Sequence, residues 1–227
     1  MQLLKTLTRK KVTVAVDDLR RTEPISKVFG IDRGTPIDRY YIERFLQENA
    51  KLMTGKVLEV GGNHYSKRFA GEGASSFEVL HAVAGNREAT IVGDLTDPGT
   101  LPENLVDCFI CTQTFNFIFE VQRAIVGAHH LLKPGGVLLA TVSGISQISS
   151  YDMERWCDYW RFTSASLEKL FAPVFGTEVD VETYGNVLAA TAFLQGVAVE
   201  DLPDTSLLDE HDPDYQLVIS IAARKAG

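Results

Sequence analysis

The sequence predicts an α/β protein built on a parallel, doubly wound sheet. Three observations carry this expectation: short unbroken apolar runs that end in polar residues, helical apolar spacing between such runs, and glycine-rich turns where a run or helix stops. The stretch Lys56-Val57-Leu58-Glu59-Val60-Gly61-Gly62-Asn63-His64-Tyr65 shows the first and third together. It reads as a buried strand whose carboxyl end turns tightly enough for a ligand to approach the backbone, the place where open α/β sheets bind their ligands. The glycines leave room, the amides that follow suit an anionic group, and Glu59 offers an acceptor for hydroxyls or an ammonium.

Residues 1–29 mix short apolar runs such as Val12 to Val16 with charge, and read as a peripheral strand or helix. Arg9-Lys10-Lys11 reads as a solvated start. Thr35 before Pro36 predicts a helix start, and Ile37, Tyr40, Tyr41, Arg44 and Phe45 then fall on one face. The segment holding Arg33, Asp38, Tyr40 and Tyr41 is either an ordinary loop and amphipathic helix or a lid over the first strand's ligand. Later strands are expected at 77–83, at 89–93 before Asp94, at 106–111 before Thr112-Gln113, and at 137–142. A helix is expected over 117–132, stopped by Lys133-Pro134-Gly135-Gly136, so that a right-handed βαβ crossover follows. Residues 143–162 form an aromatic-rich loop with Trp156, Trp160 and Arg161, suited to cover a pocket or to act as satellite core. A helix at 164–175, a strand at 178–183, a helix at 187–197, an acidic loop at 200–214 and a last strand at 215–223 complete the chain. The whole, 1–227, is expected to be one domain, with 1–54 an N-terminal helical or lid segment and 184–213 an insertion before the last strand.

A chain of 227 residues, 45% hydrophobic and 23% charged, has ample length for a core. Its formal charge of −8 argues against sequence-independent binding of nucleic acid or of an anionic membrane. Cys108 and Cys111 lie three apart on one strand and so point to opposite faces, which suits core packing better than a redox pair or a zinc clip. No metal site is expected. With no secretory signal and no apolar run of membrane-spanning length, the reading is a soluble, cytoplasmic protein.

The motif order resembles the class I S-adenosylmethionine-dependent methyltransferases. The residues that carry the resemblance are Val57 to Gly61, Asp94-Leu95, Val106-Asp107-Cys108-Phe109, and, most diagnostic, Leu131-Leu132-Lys133-Pro134-Gly135-Gly136-Val137. It extends from about Gly55 to the C-terminus. Asp32 to Tyr41 and Tyr159 to Thr163 are similar to a bacterial, type 11-like subgroup associated with polysaccharide or glycoside biosynthesis. The resemblance implies a Rossmann-like, mostly parallel seven-stranded sheet with helices on both faces and an antiparallel last strand. It implies S-adenosylmethionine as cofactor, a small-molecule acceptor methylated on oxygen of a sugar, glycoside or related metabolite, and leaves a homodimer open. By the same resemblance Glu59 serves the cationic end of the cofactor, and Gly61, Gly62, Asn63 and Tyr65 its carboxylate. Asp94 and Leu95 hold the adenine, and Thr112 and Gln113 face the methionine portion.

Two departures stand out. The usual G-x-G-x-G is here Gly61-Gly62-Asn63-His64-Tyr65, and the acid that usually ends the second strand to hold the ribose is missing from His81-Ala82-Val83-Ala84. They motivate an alternative, a noncatalytic or repurposed binding protein on the same scaffold. A nicotinamide dehydrogenase lacks its G-x-G-x-x-G turn and ribose acid here. For a hydroxyl acceptor the candidate bases by location are His64, His211 and Asp158, with Asp152 beside the last. His129 and His130 read as surface and core neighbours.

Overall fold

The computed structural model describes residues 21–227. The expectations for Arg9-Lys10-Lys11 and Val12 to Val16 lie outside the described residues. A seven-stranded sheet forms the centre, in the order β3-β2-β1-β4-β5-β7-β6. Its strands are β1 Gly55–Val60, β2 Ala74–His81, β3 Ile91–Val92, β4 Val106–Thr112, β5 Leu132–Ser143, β6 Val179–Tyr184 and β7 Val218–Arg224. β7 pairs antiparallel with both β5 and β6, while β3, β2, β1, β4 and β5 pair in parallel. The mostly parallel sheet with an antiparallel last strand is therefore the one expected.

Helices cover both faces. On one, α3 Val121–Leu131 and α5 Ser164–Phe175 bury Ala124, Ile125, Ala128, Leu167 and Phe171 against Phe109, Cys111 and Leu138. On the other, α1 Ile37–Glu48 and α6 Val187–Gln195, with α2 His64–Phe69, pack over Cys108, Ile110 and Leu139. Cys108 and Cys111 thus lie in separate core layers, and burial pushes each thiol up to about 12.

The differences from expectation have local causes. Thr35 does not cap α1: its hydroxyl donates to Glu200 at 2.7 Å, and Pro36 precedes the first turn. β2 begins at Ala74 and stops at His81, and β3 shrinks to Ile91 and Val92, because both lie toward a sheet edge where half-exposed residues weaken the apolar signal. The helix expected from 117 starts at Val121, after a 3-10 turn at Phe115–Phe117. The Lys133 to Gly136 turn is a bulge inside β5: Leu132 pairs with Val106 and Val137 with Cys108, and Gly135 takes φ +79°.

Residues 21–36 and α1 are held by the late insertion. Arg33 donates twice to Asp201, at 2.8 and 2.9 Å, and Glu200 accepts from the Thr35 amide and hydroxyl. Tyr40 and Arg44 both donate to Asp209, and the buried Tyr41 donates to the Leu208 carbonyl. α1 is thus packed as a layer of the fold, with residues 198–209 as its clasp.

Gly127 of α3 sets how closely that helix approaches the β3 loop, since a Cβ there would lie 2.0 Å from the Leu95 carbonyl oxygen. Gly127→Ala is expected to cost roughly 1–3 kcal/mol through overpacking, read as a lower urea midpoint with an unchanged slope.

Candidate active site

The site lies where the carboxyl ends of β1, β4 and β5 meet the loops that follow them. Glu59, 5% exposed on β1, accepts from the amides of Tyr65 at 3.2 Å and Ser66 at 2.8 Å. Its carboxylate therefore caps the start of α2, where unpaired amides and the helix dipole both favour negative charge. The Glu59 oxygens are thus engaged by the backbone of the turn. Gly61 adopts φ +79°, and a Cβ there would meet nothing within 4 Å, so the floor of the turn is open. The Gly61 carbonyl accepts from Asn86 at 2.8 Å, which fixes the turn from the β2 side. Gly62 lies under the His64 ring.

Three cavities open onto this edge. A crevice of about 530 Å³ is lined by Gly61, Leu80, His81, Asp94, Leu95 and Trp156 among others. A second, about 640 Å³, lies between the N-terminal segment and the β5 loop, against Phe29, Asp38, Tyr65, Thr112 and Tyr151. A small hollow of about 150 Å³ is walled by Asn116, Ser143, Ser146, Ser149, Asp158 and Arg161 together with Phe29 and Phe117. Gln113 and Asp152 line all three.

Gln113 has the unusual backbone. It takes φ +46°, a left-handed conformation that a residue with a side chain adopts at a cost. Its Oε1 accepts from Asn116 at 3.1 Å and Ser143 at 2.7 Å, and its buried amide nitrogen has no partner among the described residues. Gln113 thus presents an unpaired donor at the junction of three cavities.

Asp94 lines the crevice, with one oxygen accepting from the Thr96 amide and hydroxyl, and Leu95 beside it is buried. Asp38 is the one residue of the expected lid set that reaches a cavity: Arg33, Tyr40 and Tyr41 are turned into the clasp instead. Burial pushes the Asp38 carboxyl up to about 6, against the opposing effect of the Arg39 amide and charge. Trp156 covers the crevice, whereas Trp160 stacks on Phe119 and donates to the Ile118 carbonyl, a packing role.

The bases expected from sequence position fare differently. His211 is exposed and paired with Thr183 of the edge strand β6, and lines none of the three cavities. His64 is an exposed first residue of α2, also outside them. Asp158 does wall the small hollow, but accepts from both Arg161 terminal nitrogens and from the Ser149 amide. Burial alone would raise its pKa; those donors prevail and hold it below the usual carboxylate range, so it is a fixed anchor and a poor base. Asn116, Ser143 and Phe29 were not singled out from sequence. Only the spacing of Gln113 and Asn116 beyond a strand end hinted at the first.

Residues 55–140 match a family model described as a methyltransferase domain. This stretch is similar to a methyltransferase domain. No match is found among curated proteins. Among solved structures the chain is similar to a SAM-dependent methyltransferase from Archaeoglobus fulgidus (TM-score 0.53, 10% identity, covering 82% of this chain and 94% of that one). It is also similar to the [4+2]-cyclase SpnF (TM-score 0.53, 18% identity, 86% and 83%). A third likeness is to a Haemonchus contortus phosphoethanolamine N-methyltransferase solved with S-adenosylhomocysteine (TM-score 0.51, 14% identity, 88% and 60%). At these identities the likeness is one of fold. Among the described residues, no helix is long and apolar enough to cross a membrane, and no group of three or more His, Cys, Asp or Glu is placed to hold a metal.

Removing the Glu59 carboxylate leaves two α2 amides without an acceptor. Glu59→Ala is expected to lower stability by roughly 1–3 kcal/mol, with increased amide exchange at Tyr65 and Ser66 as the local signature.

Proposed function

We propose that this chain transfers a methyl group from S-adenosylmethionine to a hydroxyl oxygen of a small polar acceptor, a sugar or glycoside being the best-suited class. The observation that carries the reading is the meeting of two unlike cavities at Gln113: a nucleoside-sized crevice at the strand ends, and a hollow walled by Ser143, Ser146, Ser149 and Asn116. Hydroxyl and amide groups of that kind suit a polyhydroxylated acceptor. The residues present fit the cofactor: the open floor at Gly61, the acid and apolar pair Asp94-Leu95, and an unpaired donor at Gln113. The net charge of −8 supports a small acceptor rather than nucleic acid, and a cytoplasmic setting belongs to the same reading.

When bound, the cofactor supplies a methyl group on a positively charged sulfur. The protein's part is to hold an oxygen about 3 Å from that carbon and to exclude water. Gln113 and Asn116 orient the acceptor from the β4 side, and Trp156 covers the crevice. Asp38, which lines the hollow from α1, takes the hydroxyl proton. A carboxyl poised near 6 is charged at neutral pH yet still able to accept a proton.

A second reading has its own support. His81 stands where an acid is expected, and a structure named as a [4+2]-cyclase shares the fold, so a repurposed ligand-binding protein is the competitor. Titration calorimetry with S-adenosylhomocysteine, followed by mass spectrometry of a panel of methyl glycosides incubated with the methyl donor, separates the two. Binding together with a gain of one methyl group on a glycoside is expected. Binding with no methylated product across the panel favours the competitor, and no binding removes both cofactor-based readings.

With a methylated glycoside in hand, kcat/KM is expected to rise with pH through about 6 and then level. Asp38→Asn should lower kcat by on the order of a hundredfold and flatten that rise. The stability effect has the opposite sense. Because the folded pKa is raised from 3.8, the charged form is the disfavoured one and stability is lost as pH rises through about 6. Asp38→Asn should therefore melt above the wild type at pH 8 and converge with it at or below about pH 4.

A further inference from the structure

The second strand ends without the acid that would bind a ribose, and the structure shows what stands there. His81 closes β2, and its Nδ1 is taken up by the backbone of Val83, 2.7 Å from the carbonyl oxygen and 3.3 Å from the amide nitrogen. The Trp156 ring meets the His81 ring edge-on at 5.8 Å, so the loop after β5 reaches across the top of the crevice to the end of β2. That loop carries a short helix, α4 Ser150–Met153, and the Trp156 amide donates to the Asp152 carbonyl at 2.7 Å, which places Asp152 one turn from Trp156. Asp152 lines the crevice along with Gly61, His81 and Asp94. Its Oδ2 accepts from the Ser149 hydroxyl, and its Oδ1 has no partner among the described residues. The loop is fixed on its far side by the Asp158–Arg161 pair and by Ser149, whose amide donates to Asp158.

We propose that Asp152, delivered from the β5 loop, holds the ribose hydroxyls of the cofactor in place of the missing β2 carboxylate. This rests on the cofactor reading above. The chemistry is that of a diol: two donors on adjacent carbons are matched by a carboxylate with one oxygen unengaged and the other oriented by a serine. Glu88, a further carboxylate near Gly62, does not line the crevice and serves as a control; Asp94 and Glu120 line it too, from the β3 and β4 loops.

The test is a binding cycle by titration calorimetry, independent of any acceptor, using S-adenosylhomocysteine and its 2′-deoxy and 3′-deoxy analogues against wild type, Asp152→Asn and Glu88→Gln. Wild type is expected to bind the parent on the order of tenfold or more tightly than at least one deoxy analogue. Asp152→Asn should weaken the parent by a similar factor and erase that preference, whereas Glu88→Gln should match wild type. An unchanged affinity in Asp152→Asn overturns the proposal. So does a weaker variant that still discriminates the analogues, or loss of discrimination in Glu88→Gln instead. Failure of the wild type to bind S-adenosylhomocysteine at all would instead remove the cofactor reading itself, an outcome read before any variant is compared.

Discussion

A carboxylate placed at the end of the central strand needs partners, and the site is shaped by how that need is met. Glu59 is too buried to be satisfied by bulk water, so its oxygens take the first amides of the next helix. For α2 to begin there, the chain must reverse between Val60 and His64. Gly61 makes this possible by entering the left-handed region at φ +79°, where a side chain would be strained. The same reversal leaves its inner surface bare of side chains, which gives a ligand room to approach the backbone. Capping, turn and cradle are thus one arrangement, and the bulkier Asn63 and His64 are tolerated because they fall where the helix starts rather than on the open floor.

The second constraint is on α1. Its apolar face is buried against β7 and α6, but the direction in which Asp38 points depends on the chain just before it. That chain is secured by Asp201 and Glu200, and α1 itself by Asp209, all more than 160 positions away. Individually such exposed pairs stabilise little. Their effect is geometric: Arg33 is gripped by both oxygens of one carboxylate, and Thr35 by both oxygens of another. The late insertion therefore reaches the site indirectly, by fixing the helix that carries Asp38.

This also explains which features the sequence disclosed. β1 and β4 were readable because central parallel strands are mostly apolar, with few polar positions to interrupt the run. β2 and β3, toward one side of the sheet, were misjudged in extent, since their half-exposed residues lack that signal. Arg33, Tyr40 and Tyr41 have the residue types of a ligand lid, and nothing local distinguishes a ligand's carboxylate from Asp201 or Asp209. Asp158 was different: an arginine three residues later was visible, and it accounts for why this acid is an anchor. The importance of Gln113 rests on a positive φ and an unpaired nitrogen, which only the fold reveals.

Three carboxylates face the small hollow, and their surroundings assign them different work. Asp158 is paired with both terminal nitrogens of Arg161, which hold its carboxyl below the usual carboxylate range, and this suits a strut. Asp152 keeps one oxygen oriented by Ser149 and the other unengaged, which suits holding a donor. Asp38 is half-buried, without a compensating salt bridge among the described residues, and desolvation favours its neutral form. A cation entering the adjoining crevice would reverse that preference by supplying the missing positive charge. Under the proposed function, a sulfonium there would lower the Asp38 pKa and so hold more of it in the charged form that can accept a proton.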